Sequence, residues 1–215
     1  MKKYLAEFLG TFMLVFLGTS AVVIAKGDVL TIALAFGMAI TMSAYSFGAV
    51  SGGHFNPAVT TGMIIDHRID WKNGLYYIVS QILGAIVASL LVRVYVSAMG
   101  FSTKALGQTD FTISAGTAFL VETVATFLFV LIILLVTSKT FGNPNFAGLI
   151  IGIALTFLIV ATIKLTGASL NPARSIGPAL FAQGTSLTHL WLYILAPEIG
   201  GVLAAFVSRF FTTED

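Results

Sequence analysis

The chain has 215 residues, of which 57% are hydrophobic and only 9% charged. Soluble domains carry about 25% charged residues, so this sequence could not cover a water-facing surface of its own size and reads as an integral membrane protein in a lipid bilayer. A net charge of +2 without any basic run excludes nucleic-acid binding, and the absence of Cys excludes disulfides, thiol chemistry and thiolate metal sites.

In chain order, the first apolar stretch is 3–25. It follows Lys2-Lys3 as the core of a signal peptide would. It is longer than such a core, carries Glu7 and has a counterpart later in the chain, so it reads as a retained span. A spanning helix needs about 20 apolar residues. Further candidates are 31–50, 74–98, 115–137, 146–164 and 188–210. Two apolar pieces, 56–65 and 171–182, are too short to cross. The first opens on Asn56-Pro57-Ala58 within SGGHFNPAVT, the second on Asn171-Pro172-Ala173 within TGASLNPARS. The segment 99–114 is the longest polar connection.

Asn56 and Asn171 stand 115 positions apart, and so do Glu7 and Glu122, and Gly37 and Gly152. The chain is an internal duplication, with one repeat over about 1–100 and the other over about 115–215, together forming one transmembrane domain across 1–215. Three spans per half reverse the second half relative to the first. The expected fold class is an all-α membrane protein with six transmembrane helices and two re-entrant half-helices in an inverted 3+3 repeat. With the N-terminus inside, Lys2, Lys3, Arg68, Lys72, Lys139 and Arg209 fall on the cytoplasmic face, and Lys26 and Lys104 on the other. This bias predicts cytoplasmic N- and C-termini and an extracellular 99–114 loop.

Asn is a favoured N-cap and Pro suits the first helical position, so each Asn-Pro-Ala marks a helix start. In an inverted duplication the two starts meet near the midplane, where irregular backbone is tolerated only if buried or lining a watery cavity. Both helix dipoles then point their positive ends at one place. With its oxygen committed to capping, each Asn presents only N–H donors. A water held there points its own protons outward along the pore, which breaks a proton relay, and cations are opposed by the dipoles.

Carboxylates inside spans are rare. Glu7 and Glu122 are expected to accept hydrogen bonds from the irregular backbone leading to each half-helix, in preference to relaying protons. Glu198 is harder to place. Matching QILGAIVA at 81–88 with EIGGVLAA at 198–205 pairs it with Gln81, at a spacing of 117, and gives it no role. Small residues such as Gly84, Ala88, Gly200 and Ala204 suit close helix packing. His54, two positions before Asn56, is expected to line the pore. His54, His67 and His189 lack metal-ligand spacing, so no metal is expected.

The double Asn-Pro-Ala, the AEFLGTF opening and the Glu heading each half resemble the aquaporin and aquaglyceroporin channels, the major intrinsic protein family. The resemblance covers nearly the whole chain. It implies a passive channel for water and small neutral solutes, including hydrogen peroxide and glycerol, that excludes protons and ions. It also implies a homotetramer, and a plasma-membrane location is expected; the sequence shows no nucleophile–base pair and no metal cluster, so no catalysis and no cofactor are expected. Carried over by position, the outer selectivity filter is Phe36, Ile159, Ala168 and Arg174. Water-selective members usually have His where this chain has Ile159. Glycerol channels usually have Trp and Gly at two filter positions and Asp after the arginine; here Ser175 follows Arg174. The filter is therefore of mixed type. The alternatives are a glycerol or metalloid facilitator of the same family and, more distantly, a proton-coupled secondary transporter using Glu7, Glu122 and Glu198.

Overall fold

The computed structural model describes residues 1–212; the last residues of the C-terminal tail, whose cytoplasmic placement is expected above, lie outside the described residues. Six long helices cross: α1 (Lys2–Ile24), α2 (Val29–Ser51), α4 (Trp71–Ala98), α5 (Ala115–Val136), α6 (Ala147–Thr166) and α9 (Leu190–Thr212). Two short ones start at the Asn-Pro-Ala motifs, α3 (Pro57–Ile65) and α7 (Pro172–Ala182). A single turn not foreseen from sequence, α8 (Thr185–Thr188), joins α7 to α9. The expected span limits move by three residues or fewer, because caps set the ends. Asp28, Asp70 and Ser114 each accept from a backbone N–H in the first turn of the helix they precede.

The exterior is apolar. Leu34, Val79, Leu83, Phe157 and Leu203 are exposed on the spans, as lipid surroundings require. Glycines let the helices cross closely. A Cβ on Gly37 would lie 2.6 Å from the Gly152 carbonyl oxygen, and one on Gly152 would lie 2.5 Å from that of Gly37. The α2–α6 crossing is thus built from two residues that share the repeat spacing.

The same comparison corrects the pairing of Gln81 with Glu198. Gly84 on α4 meets the carbonyl of Phe8, and Gly200 on α9 meets that of Thr123. Tyr77 donates to the Ser51 carbonyl and Tyr193 to the Thr166 carbonyl, each at 2.7 Å. These pairs fix the register of α4 against α9 at 116. Gln81 therefore corresponds to Pro197, and Glu198 to the half-buried Ile82. Glu198 sits half-buried beside Thr61 of α3, away from the site that Gln81 occupies.

The two halves run in opposite senses. Tyr4 at the start of α1 donates to Asn73 at the start of α4, at 2.6 Å, which marks one face. α3 runs from the middle toward that face. α7 runs toward the other, where Thr185 donates to Asp110 in the 99–114 loop.

Candidate functional site

The site is built from two loops that descend from the ends of α2 and α6. Gly52, Gly53 and Phe55 have φ of 91°, 70° and 51°; Gly167, Ala168 and Leu170 have 75°, 52° and 52°. Left-handed backbone is easy for Gly but costs other residues on the order of 1–3 kcal/mol. What holds it is a buried carboxylate under each loop. Glu7 accepts from the Ser51 hydroxyl (2.6 Å), the His54 N–H (3.0 Å) and the Phe55 N–H (2.7 Å). Glu122 accepts from the Thr166 hydroxyl (2.6 Å) and from the N–H groups of Ser169 and Leu170 (both 3.0 Å). Both carboxylates are fully buried. Glu7 has one partner without a counterpart, the Gln81 amide at 2.8 Å. Pro197 stands at that place in the second half and has no donor to give.

Each loop ends on its asparagine. Asn56 Oδ1 accepts from the Ala58 N–H at 2.9 Å, and Asn171 Oδ1 from the Arg174 N–H at 3.2 Å. The amide nitrogens reach across the two-fold: Asn56 donates to the Leu170 carbonyl at 2.8 Å and Asn171 to the Phe55 carbonyl at 3.0 Å. One hydrogen of each amide is thereby used, and one remains. Both asparagines border a central cavity. Pro57, Ala58, Pro172 and Ala173 do not; they are packed behind it in the first helical turns.

The cavity is small, with an enclosed volume of about 20 Å³. Its lining includes the apolar helix residues Leu14, Ile40, Phe129, Ile133, Ile151 and Leu155. The two loops contribute Gly53, His54, Ser169 and Leu170. His54 Nδ1 lies 3.1 Å from the Thr60 hydroxyl, while Ser169 lies 2.6 Å from the Ser175 hydroxyl. His54 also borders the open depression formed by Lys3, Asp70, Asn73 and Tyr77.

Phe36, Ile159, Ala168 and Arg174 all line this one cavity. Arg174 is 4% exposed. Its Nη1 donates to the Gly107 carbonyl at 2.8 Å, and its guanidinium lies 4.8 Å from the centre of the Phe36 ring. Its Nε is buried without a partner. Gly107 belongs to the 99–114 loop, which also reaches the site through Thr109, 2.7 Å from the Ser175 hydroxyl. Sequence reasoning missed both residues. A carbonyl acceptor leaves no trace in residue type, although the two glycines in that loop hint at close packing. No cluster of His, Asp and Glu able to hold a metal occurs among the described residues.

The sequence pattern of the major intrinsic proteins matches residues 1–208. The chain belongs to the major intrinsic protein family. It is 65% identical over 216 residues to the glycerol uptake facilitator protein-like 6 of Lactiplantibacillus plantarum, with full coverage of both chains. It is 40% identical to Aquaporin Z of Bradyrhizobium diazoefficiens, covering all of this chain and 95% of that one. The X-ray structure of the aquaglyceroporin from Plasmodium falciparum superposes with a TM-score of 0.88 at 25% identity, covering 98% of this chain and 96% of that one. This family member is a membrane channel, not an enzyme.

Proposed function

We propose that this chain conducts water, hydrogen peroxide and, more slowly, glycerol through its central cavity, and excludes protons and ions. One observation carries the reading. Arg174, buried and held by the Gly107 carbonyl, lines the same cavity as the apolar side chains of Phe36, Ile159 and Ala168 and is the one charged residue in that lining. A solute there must shed water and recover hydrogen bonds from few groups. Glycerol can lay its carbon face on Phe36 and Ile159 and turn hydroxyls to Arg174. Cations meet a fixed positive charge and two helix N-termini. Phe36, Ile159, Ala168 and Arg174 act as the selectivity filter, His54 lines the route toward the opposite face, and Glu7 and Glu122 anchor the half-helices. Asn56 and Asn171 orient a passing water with the amide hydrogens left over from their cross-bonds.

In the same reading the chain is one channel domain, residues 1–215, made of repeats at about 1–100 and 115–215. It assembles as a homotetramer with one pore per subunit, in the cell membrane, with both termini cytoplasmic. The similarity to a protein named for glycerol uptake supports glycerol as a solute. Stopped-flow measurement of water, glycerol and peroxide flux in one liposome preparation tests the reading. All three should pass, glycerol slowest, without response to a pH gradient or membrane potential. Flux that follows the proton gradient would replace the channel with a coupled transporter.

A further inference from the structure

Arg174 is held from two sides, and both restraints lean on one turn of α1. The Phe36 ring, which stacks on the guanidinium, lies against Gly18. A Cβ built on Gly18 would fall 2.1 Å from Phe36 Cε1, 2.3 Å from Cδ1 and 2.5 Å from Cζ. The Gly107 carbonyl, which accepts from Arg174, belongs to a residue lying on Thr19. A Cβ on Gly107 would fall 2.9 Å from the Thr19 carbonyl oxygen and 3.1 Å from its Cα. The Thr19 hydroxyl is already spent on the Val15 carbonyl at 2.7 Å, so its contact with Gly107 is one of shape. Gly18 and Thr19 are buried and do not border the cavity.

The geometry points to the Gly18–Thr19 step as a specificity-determining platform: it sets how far the Phe36 ring and the Gly107 carbonyl stand from the pore, and so fixes the width at Arg174. The inference rests on Phe36 and Arg174 forming the filter. The absence of a side chain at Gly18 is what lets the ring lie back against α1. In the second half the position 115 residues on is Ile133, a side chain that borders the cavity itself. The platform therefore exists on one side of the two-fold only, which is the side that carries the arginine clamp.

The test is the ratio of glycerol to water flux in liposomes, since loss of folded protein lowers both fluxes alike. In Gly18→Ala the three atoms nearest the new methyl all belong to the Phe36 ring, so the ring has to give way, and on this inference it moves off α1 toward the cavity it lines. Glycerol then loses room to turn one hydroxyl to Arg174, and the ratio should fall by roughly fivefold or more. Phe36→Leu in the same background removes the clash and should restore the ratio toward the wild-type value. Gly116→Ala, on an exposed helical position with nothing within 4 Å, should leave the ratio unchanged. Phe36→Ala alone should raise it. A wild-type ratio in Gly18→Ala while Phe36→Ala raises it overturns the platform and keeps the filter. An unchanged ratio in Phe36→Ala overturns the filter itself. If Gly18→Ala fails to assemble and Phe36→Leu does not cure it, the clash lies elsewhere and the platform is again overturned.

Discussion

Asn56 and Asn171 each donate an amide hydrogen to the carbonyl of the residue that precedes the other, Leu170 and Phe55. Each asparagine thus caps its own half-helix with its oxygen and ties down the opposite loop with its nitrogen. Neither half of the midplane site is complete by itself.

Asn171→Ala should therefore cost more than a cap. Losing the cap is worth about 1 kcal/mol. Stranding the buried Phe55 carbonyl adds about 1–3 kcal/mol. Thermal unfolding in mild detergent should show a lowered midpoint, and Asn56→Ala combined with it should be non-additive because the two share one site. A wild-type midpoint in the single variant would mean the cross-bond carries no stability.

Glu7→Gln and Glu122→Gln each turn an amide N–H₂ toward groups that are themselves donors. The expected loss is about 1–3 kcal/mol for each donor left unpaired. Both variants should unfold earlier or carry less water, and neither should acquire or lose any proton coupling. Unchanged stability and flux in both would remove these carboxylates as anchors.

Ala168 holds a left-handed φ of 52° where the first half has Gly53. Ala168→Gly relieves backbone strain on the order of 1–3 kcal/mol, less the entropy that glycine returns to the unfolded chain. It also removes a methyl from the cavity wall at the proposed filter. Glycerol flux should rise relative to water without loss of thermal stability. A lower glycerol-to-water ratio would show that the methyl is not what limits the opening.

Ile159→His brings a polar ring into the apolar lining of the cavity, at the proposed filter. Glycerol flux should fall more than water flux, measured in the same liposomes. Equal effects on both would place residue 159 outside the rate-limiting constriction.

Asp110 ties the 99–114 loop to Thr185 and His189. Partial burial pushes its carboxyl up, but hydrogen bonds from Thr185, His189 and the Phe111 N–H outweigh that and hold it below the ordinary 3.8. A depressed carboxyl contributes stability above its unfolded value and loses it as pH falls through the folded one. The contribution of the Asp110 carboxylate to anchoring the loop should therefore be full above about pH 4 and be lost only below that. Limited proteolysis of the loop across this range checks the sign. Asp110→Asn should be cleaved faster at every pH above the transition, and a loop that is cut equally fast in both proteins does not depend on this carboxylate.

Much of this was legible because the chain states it twice. Glu7 with Glu122 and Asn56 with Asn171 declare themselves as polar residues at one spacing in an apolar background. Glu198 misled because the small-residue pattern of α4 resembles that of α9 in more than one register. The backbone contacts of Gly84 and Gly200 and the matching hydrogen bonds of Tyr77 and Tyr193 decide the register, at 116. The apolar wall was hidden for a different reason: Leu14 or Phe129 on a helix has the same sequence signature whether it faces lipid, a neighbour or a pore. Gly107 was hidden because it acts through its carbonyl, which every residue has.

The cross-bond between halves also sets an order of events during synthesis. Asn56 and its acceptor, Leu170, are 114 residues apart, which at ~5–20 residues per second is roughly 6–23 s of translation. For most of that interval the nascent first half can hold its Glu7 brace, completed once Gln81 is made, but its half-helix tip has no counterpart. Its polar break must be sheltered by the insertion machinery or by water until the second half arrives. A chain cut after the first repeat should accordingly remain an unstable insertion intermediate, and the pore should close around its axis only as the last helices enter the bilayer.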